Sequence, residues 1–114
     1  LKQAIKASEE LIKEEIDIEI IDLRTIRPMD YKAIFESVKK TNRLVILEES
    51  WPFGNISTEI SYQVQNEIFD HLDAPIEKIN TADTPAPYSP VLLKEWLPNH
   101  DDVIKAVKKV MYHK

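Results

Sequence analysis

The sequence predicts an α/β fold with a mainly parallel sheet. Apolar runs of strand length alternate with amphipathic stretches of about 10–15 residues, the pattern of βαβ crossovers. One run, Leu44-Val45-Ile46-Leu47, is apolar at successive positions and includes β-branched residues, as suits a strand buried on both faces. It stops abruptly at Glu48 and Glu49, followed by Ser50, Trp51, Pro52, Phe53 and the only glycine, Gly54. In open α/β sheets the working loops leave the carboxyl ends of parallel strands. This stretch therefore marks the edge of the sheet where function is expected.

The elements follow in order. Leu1, Ala4, Ile5, Ser8, Leu11 and Ile12 recur at helical spacing with Lys and Glu between them, predicting an amphipathic helix that ends near Glu15. Ile16, Ile18 and Ile20 alternate with Asp17 and Glu19, and Ile21 and Leu23 extend the run, predicting a strand over 16–23. Asp30 is placed to cap a second helix, whose apolar face is Tyr31, Ile34, Phe35 and Val38. Lys39 and Lys40 suit its C-terminal dipole, and Asn42 suits the left-handed residue that ends it.

The strand 44–48 comes next. Beyond the Trp51–Gly54 turn, Ile56, Ile60, Val64 and Ile68 step by four along a third helix. Ile76–Asn80 reads as a short strand, and Thr81–Pro90 as a loop carrying three prolines around Tyr88. Val91–Leu97 forms a short helix stopped by Pro98. A last helix, capped by Asn99 or Asp101, carries the stripe Val103, Val107, Val110 and Met111. The order opens on a helix where an α/β domain normally opens on a strand. A strand before Leu1 is the expected missing piece, and without it the 114-residue chain is not expected to be a well-behaved monomer.

Composition excludes several classes. The length leaves room for one domain, 1–114. A hydrophobic content of 43% excludes disorder, and a net charge of −5 argues against a nucleic-acid surface. Without cysteine there are no disulfides, thiol nucleophiles or Cys-based zinc sites. No stretch approaches the length of a membrane span, and charged residues interrupt the first helix too often for a signal peptide.

Candidate chemistry is sparse. Glu48 and Glu49 are adjacent, so in a strand they point to opposite faces and share no site unless the turn begins at Glu48. His71, His100 and His113 lack ligand spacing. No serine has a nucleophile-elbow context, and Gly54 alone makes no phosphate cradle. Arg24 and Arg27, at a strand end, suit an anion or a salt bridge between elements. Trp51, Phe53, Tyr88 and Trp96 stand out, because aromatic residues on proline-stiffened loops are typical interface anchors; the other reading is that they cap the ends of the core. Trp51 is expected to be more buried than an ordinary loop residue.

Five motifs carry a family resemblance. Asp22-Leu23-Arg24-Thr25-Ile26-Arg27-Pro28-Met29-Asp30, Lys40-Thr41-Asn42-Arg43-Leu44-Val45 and Glu48-Glu49-Ser50-Trp51-Pro52 resemble the C-terminal domain of the transketolase superfamily. Leu72-Asp73-Ala74-Pro75 and Ala82-Asp83-Thr84-Pro85-Ala86-Pro87-Tyr88 narrow the likeness to beta subunits of the first component of pyruvate dehydrogenase. Branched-chain 2-oxoacid and acetoin dehydrogenase beta subunits share much of the pattern. The family usually carries Gly after the two glutamates and small residues beyond Trp-Pro, where this chain has Ser50, Asn55 and Ser57.

The resemblance implies a three-layer α/β/α sandwich, with the missing strand lying between 16–23 and 44–48. It implies thiamine diphosphate and magnesium in the whole enzyme, bound elsewhere than in this chain, and no catalytic, cofactor or metal residue here. It implies an assembly role, with Trp51, Phe53 and Tyr88 at a subunit interface with a second beta subunit and an alpha subunit nearby. Asp73 and the chain end at Lys114 would dock the subunit-binding domain of a dihydrolipoyl acetyltransferase. The compartment implied is bacterial cytoplasm or mitochondrial matrix. Two other readings stand beside it: a stand-alone α/β binding domain, and a small enzyme using Glu48 or Glu49.

Overall fold

The computed structural model describes residues 1–113; Lys114 lies outside the described residues. The element order is α1 (Lys2–Ile12), α2 (Tyr31–Thr41), β1 (Val45–Leu47), α3 (Ile56–Ile68), a 3₁₀ turn (Phe69–His71), β2 (Glu77–Ile79), α4 (Pro90–Trp96) and α5 (His100–Val110). β1 and β2 pair in parallel, with Val45 opposite Glu77 and Leu47 opposite Ile79.

Strand alternation builds the three layers. Val45, Leu47 and Ile79 turn to one face, against Ala7 and Leu11 of α1 and Val103, Ala106 and Val107 of α5. Leu44, Ile46 and Ile76 turn to the other, against Ile34 and Val38 of α2 and Ile60, Val64 and Ile68 of α3. The predicted α/β/α sandwich is therefore present, with a core cluster on each side of a small parallel sheet.

The helix ends follow their local chemistry. The Asp30 side chain accepts from the Ala33 N–H at 3.1 Å, and Asn42 ends α2 in the left-handed region at φ 65°. Asn99, rather than Asp101, caps α5 in a reciprocal capping box with Asp102. Pro90 opens α4 as a first-turn proline. α1 differs from its predicted stripe. It buries Ala7 and Leu11 against α5, while Leu1, Ile5 and Ile12 stay exposed. Small residues at the contact let the two helices approach, and the larger isoleucines fall on the flank.

The second difference is larger. Residues 16–23 form no strand. Ile16 and Ile18 pack against the α1/α5 core and Leu23 against the α2/α3 core, so the side chains alternate as predicted. Among the described residues, however, no backbone–backbone hydrogen bond reaches Asp17–Asp22. The reason lies in the neighbour. Between this segment and β1 runs a groove of about 630 Å³, walled by 16–26 and Leu44–Leu47 and floored by Val38, Val103 and Val107 among others. The Glu77 N–H donates to the Leu44 carbonyl and the Glu48 N–H to the Ile79 carbonyl. Parallel pairing alternates, so the backbone groups of Val45 and Leu47 face the groove instead. Both walls thus present backbone without a ladder partner, in the position expected for the missing strand.

Candidate functional site

At the carboxyl end of β1 the backbone is tied down from several directions. The turn Glu49–Gly54 leads into α3, and Gly54 supplies the left-handed residue at φ 65°. The Asn55 side-chain amide donates to the carbonyls of Trp51 at 2.6 Å and Phe53 at 3.2 Å. Lys78 Nζ, reaching from β2, donates to the Pro52 carbonyl at 2.8 Å and to Thr58 Oγ1 at 3.1 Å. Ser50 fits its position without a positive φ, and its carbonyl accepts from the Thr81 N–H at 3.0 Å. The Ser50 hydroxyl is buried with no hydrogen-bond partner among the described residues.

The proline-rich loop 81–88 is fastened to this turn by two indoles. Trp51 Nε1 donates to the Thr84 carbonyl at 2.8 Å, and Trp96 Nε1, from α4, donates to the same oxygen at 2.9 Å. The Ala82 N–H donates to the Trp96 carbonyl at 3.1 Å, closing the loop against the end of α4. Trp51 is 48% exposed, less buried than expected. Its hold on the loop comes from the indole N–H rather than from burial. Phe53 and Tyr88 stand almost wholly in solvent, with Val91 and Leu92 of α4 also exposed. Large apolar side chains presented by a fastened backbone have the character of a pre-organised contact surface.

Glu48 and Glu49 do not form an acid/base pair. The Glu48 carboxylate is taken by Asn80 Nδ2 at 2.7 Å, Ser57 Oγ at 2.5 Å and the Ser57 N–H at 3.3 Å. Arg24 lies exposed beside Asp22 at 3.7 Å. The lowered pKa of Glu14, held down first by its hydrogen bond from Lys108, belongs to a staple between α1 and α5.

Asp73 occupies the opposite end of the sheet. Its N–H donates to the Asn42 carbonyl at 2.8 Å, and its side chain is more than half exposed. Arg43 Nη1 approaches that carboxylate to 3.9 Å, while Arg43 Nε donates to the Val110 carbonyl at the end of α5. A shallow apolar recess adjoins Asp73, with Tyr62, Phe69 and Tyr112 at its sides. The structure thus separates the two sets of sequence-predicted residues: Trp51 and Phe53 lie on the turn after β1 and Tyr88 on the loop that Trp51 holds, whereas Asp73 stands before β2 at the other end of the sheet.

Sequence reasoning missed Asn55, Lys78 and the Thr84 carbonyl as anchors of the turn, and Glu48 as a partner of Ser57. No local spacing rule links a residue to one nine positions away, and a backbone oxygen carries no sequence signal.

The model of the transketolase C-terminal domain matches residues 1–103. The chain belongs to this family. Among its relatives is the pyruvate dehydrogenase E1 component subunit beta of Rickettsia felis, 51% identical over 113 residues, which are 99% of this chain and 35% of the relative. The subunit of the same name from Rhizobium meliloti is 54% identical over 109 residues, 96% of this chain and 24% of that protein. The mitochondrial beta-2 subunit of Oryza sativa subsp. japonica is 47% identical, over 96% of this chain and 29% of that protein. The chain therefore spans about a third or less of the curated relatives it matches. A solved split gene transketolase, described as an inactive beta4 tetramer, superposes with a TM-score of 0.81 at 25% identity, over 99% of this chain and 35% of its own.

Among the described residues no three His, Asp or Glu side chains gather as a metal-binding group. The lone Gly54 offers none of the glycine-rich backbone that cradles a diphosphate. The described residues gather no donor set that fits thiamine diphosphate with magnesium. No described helix is long and apolar enough to cross a membrane.

Proposed function

We propose that this chain is the C-terminal assembly and docking domain of a thiamine-diphosphate-dependent pyruvate dehydrogenase beta subunit, with the cofactor and the catalytic residues held by the rest of the enzyme. The observation that carries the reading is 51% identity to such a subunit across 99% of the chain. The whole enzyme would decarboxylate pyruvate oxidatively and pass the acetyl group to a lipoyl domain, in bacterial cytoplasm or mitochondrial matrix. The fastened aromatic surface supports a contact between beta subunits through Trp51, Phe53 and Tyr88, with an alpha subunit completing the enzyme. The tetramer named for the split gene transketolase is in keeping with that contact.

The exposed Asp73 carboxylate, beside an apolar recess, supports docking of a basic partner such as the subunit-binding domain of an acetyltransferase. Lys114, the other residue of that proposed contact, lies outside the described residues.

The test is the longer beta subunit co-expressed with its alpha subunit. Pyruvate should turn over in preference to branched-chain 2-oxoacids and acetoin, and only with thiamine diphosphate and magnesium. A preference for a branched-chain substrate would replace the substrate assignment and leave the assembly role in place. Asp73→Asn should weaken acetyltransferase binding by about 2–5 kcal/mol, as expected of a buried interfacial charge pair. It should change stability by no more than about 0.5 kcal/mol. Unchanged affinity by calorimetry would remove Asp73 from the site.

A further inference from the structure

We infer that Glu48 is the positioning residue of the aromatic surface, an inference that rests on the assembly role proposed for Phe53 and Tyr88. The argument begins at the first turn of α3. Asn55 occupies the N-cap, where an asparagine ordinarily accepts one of the free helix N–H groups. Here it accepts none. Its amide is turned away from the helix and donates to the Trp51 and Phe53 carbonyls.

The free N–H at Ser57 goes instead to a carboxylate from another element. Glu48, just past β1, sets both oxygens 3.3 Å from the Ser57 nitrogen, and one of them 2.5 Å from the Ser57 hydroxyl. Ser57 is completely buried. A negative charge at a helix N-terminus is favoured by the helix dipole, and hydrogen bonds to it are charge-assisted. The same oxygen accepts from Asn80, just beyond β2, at 2.7 Å.

Two capping roles are therefore exchanged. The strand carboxylate caps the helix, and the asparagine at the cap position is released to hold the turn. A glutamine at 48 would keep one acceptor oxygen but lose the charge that the helix N-terminus favours, and would turn an amide donor toward the Ser57 N–H where the second carboxylate oxygen now accepts. Without Glu48, Asn55 becomes the nearest acceptor for α3, and each time it caps the helix it leaves the Trp51 and Phe53 carbonyls. The turn that presents Phe53, and through Trp51 and Thr84 the loop that presents Tyr88, then loses its internal support.

The test is hydrogen exchange on the full-length beta subunit, read for α3 from its backbone by mass spectrometry and for the turn from the Trp51 indole N–H by NMR, with sedimentation for association. Glu48→Ala should speed exchange of the Trp51 indole N–H, which donates to the Thr84 carbonyl, by about tenfold, the equivalent of one hydrogen bond, and lower the thermal midpoint. Adding Asn55→Asp supplies a local helix acceptor that has no donor for the turn. The double variant should recover the midpoint and the protection of α3 while the turn stays fast. Parent-like protection of the turn in Glu48→Ala would overturn the inference. So would recovery of the turn together with α3 in the double variant. If Glu48→Ala does not fold, Glu48→Gln should show the same acceleration confined to the turn, and parent-like exchange there would overturn the inference equally. Phe53→Ala separates the two readings. Unchanged association in that variant, beside a fast turn in Glu48→Ala, would refute the assembly surface and support the positioning role.

Discussion

β1 is finished at its carboxyl end and unfinished along its free edge. At the end, the carbonyls of Ser50, Trp51, Pro52 and Phe53 each receive a donor from elsewhere in the chain. Along the edge, Val45 and Leu47 face a groove, and Asp17–Asp22 opposite them has no backbone partner among the described residues. Both regions expose apolar side chains, so hydrophobicity alone does not tell them apart. Backbone accounting does. A surface whose backbone carbonyls are satisfied can stay exposed until a partner arrives, whereas bare edges over an apolar floor favour another strand.

The largest test of this contrast is the behaviour of the 114 residues in isolation. Each large apolar side chain left unburied forgoes about 1.5–3 kcal/mol, so an unfilled groove weighs against the whole stability of a small domain. The isolated chain should associate with increasing concentration in the ultracentrifuge and bind an apolar dye. A monomer with a sharp cooperative melt would break the comparison, because it would mean that the groove closes on itself.

Next in size is the core packed between α1 and α5. Leu11 is 1% exposed between α1 and α5, and Leu11→Ala should cost about 2–5 kcal/mol in urea unfolding of the full-length subunit. Ile12→Ala, one position along on the exposed flank, should stay within about 0.5 kcal/mol. Similar costs at the two positions would mean that α1 packs by the face read from its sequence.

At the finished end the expected effects are smaller. Trp51→Phe keeps an aromatic ring but removes one donor to the Thr84 carbonyl, and should cost about 0.5–1.5 kcal/mol by thermal melt. A cost several times larger would show that packing, rather than the indole N–H, holds the loop.

The smallest effect concerns pH. The Lys108 hydrogen bond holds the Glu14 pKa below its ordinary value of 4.5 in the folded chain. Its contribution is thus present above the unfolded pKa and fades as pH falls through the folded one. Glu14→Gln should flatten the acid limb of the melting profile below about pH 4.5 and leave neutral pH almost unchanged. An unaltered acid limb would remove this staple from the account.

Most of the fold was legible because its signals are local. Asp30, Asn42 and Asn99 act within a few residues of themselves, and the apolar steps of α3 and α5 are periodic. The segment 16–23 kept its alternation but formed no ladder, since a strand depends on a neighbour as well as on its own pattern. The candidate surface was legible at Trp51, Phe53 and Tyr88, whose residue types stand out among prolines. Their supports were not, because Glu48 meets Ser57, and Lys78 meets Pro52, only after β1, α3 and β2 have packed.

The carbonyl of Thr84 carries a consequence for mutational scanning. Two tryptophans converge on an atom that every amino acid possesses, and Pro85 already confines residue 84 to an extended backbone. Substitution at 84 should therefore be silent, and loss of one tryptophan should cost no more than its own hydrogen bond, because the other indole stays bonded. A scan of changes within the loop would pass over the joint between turn and loop, and the paired loss of both indoles would expose it in full.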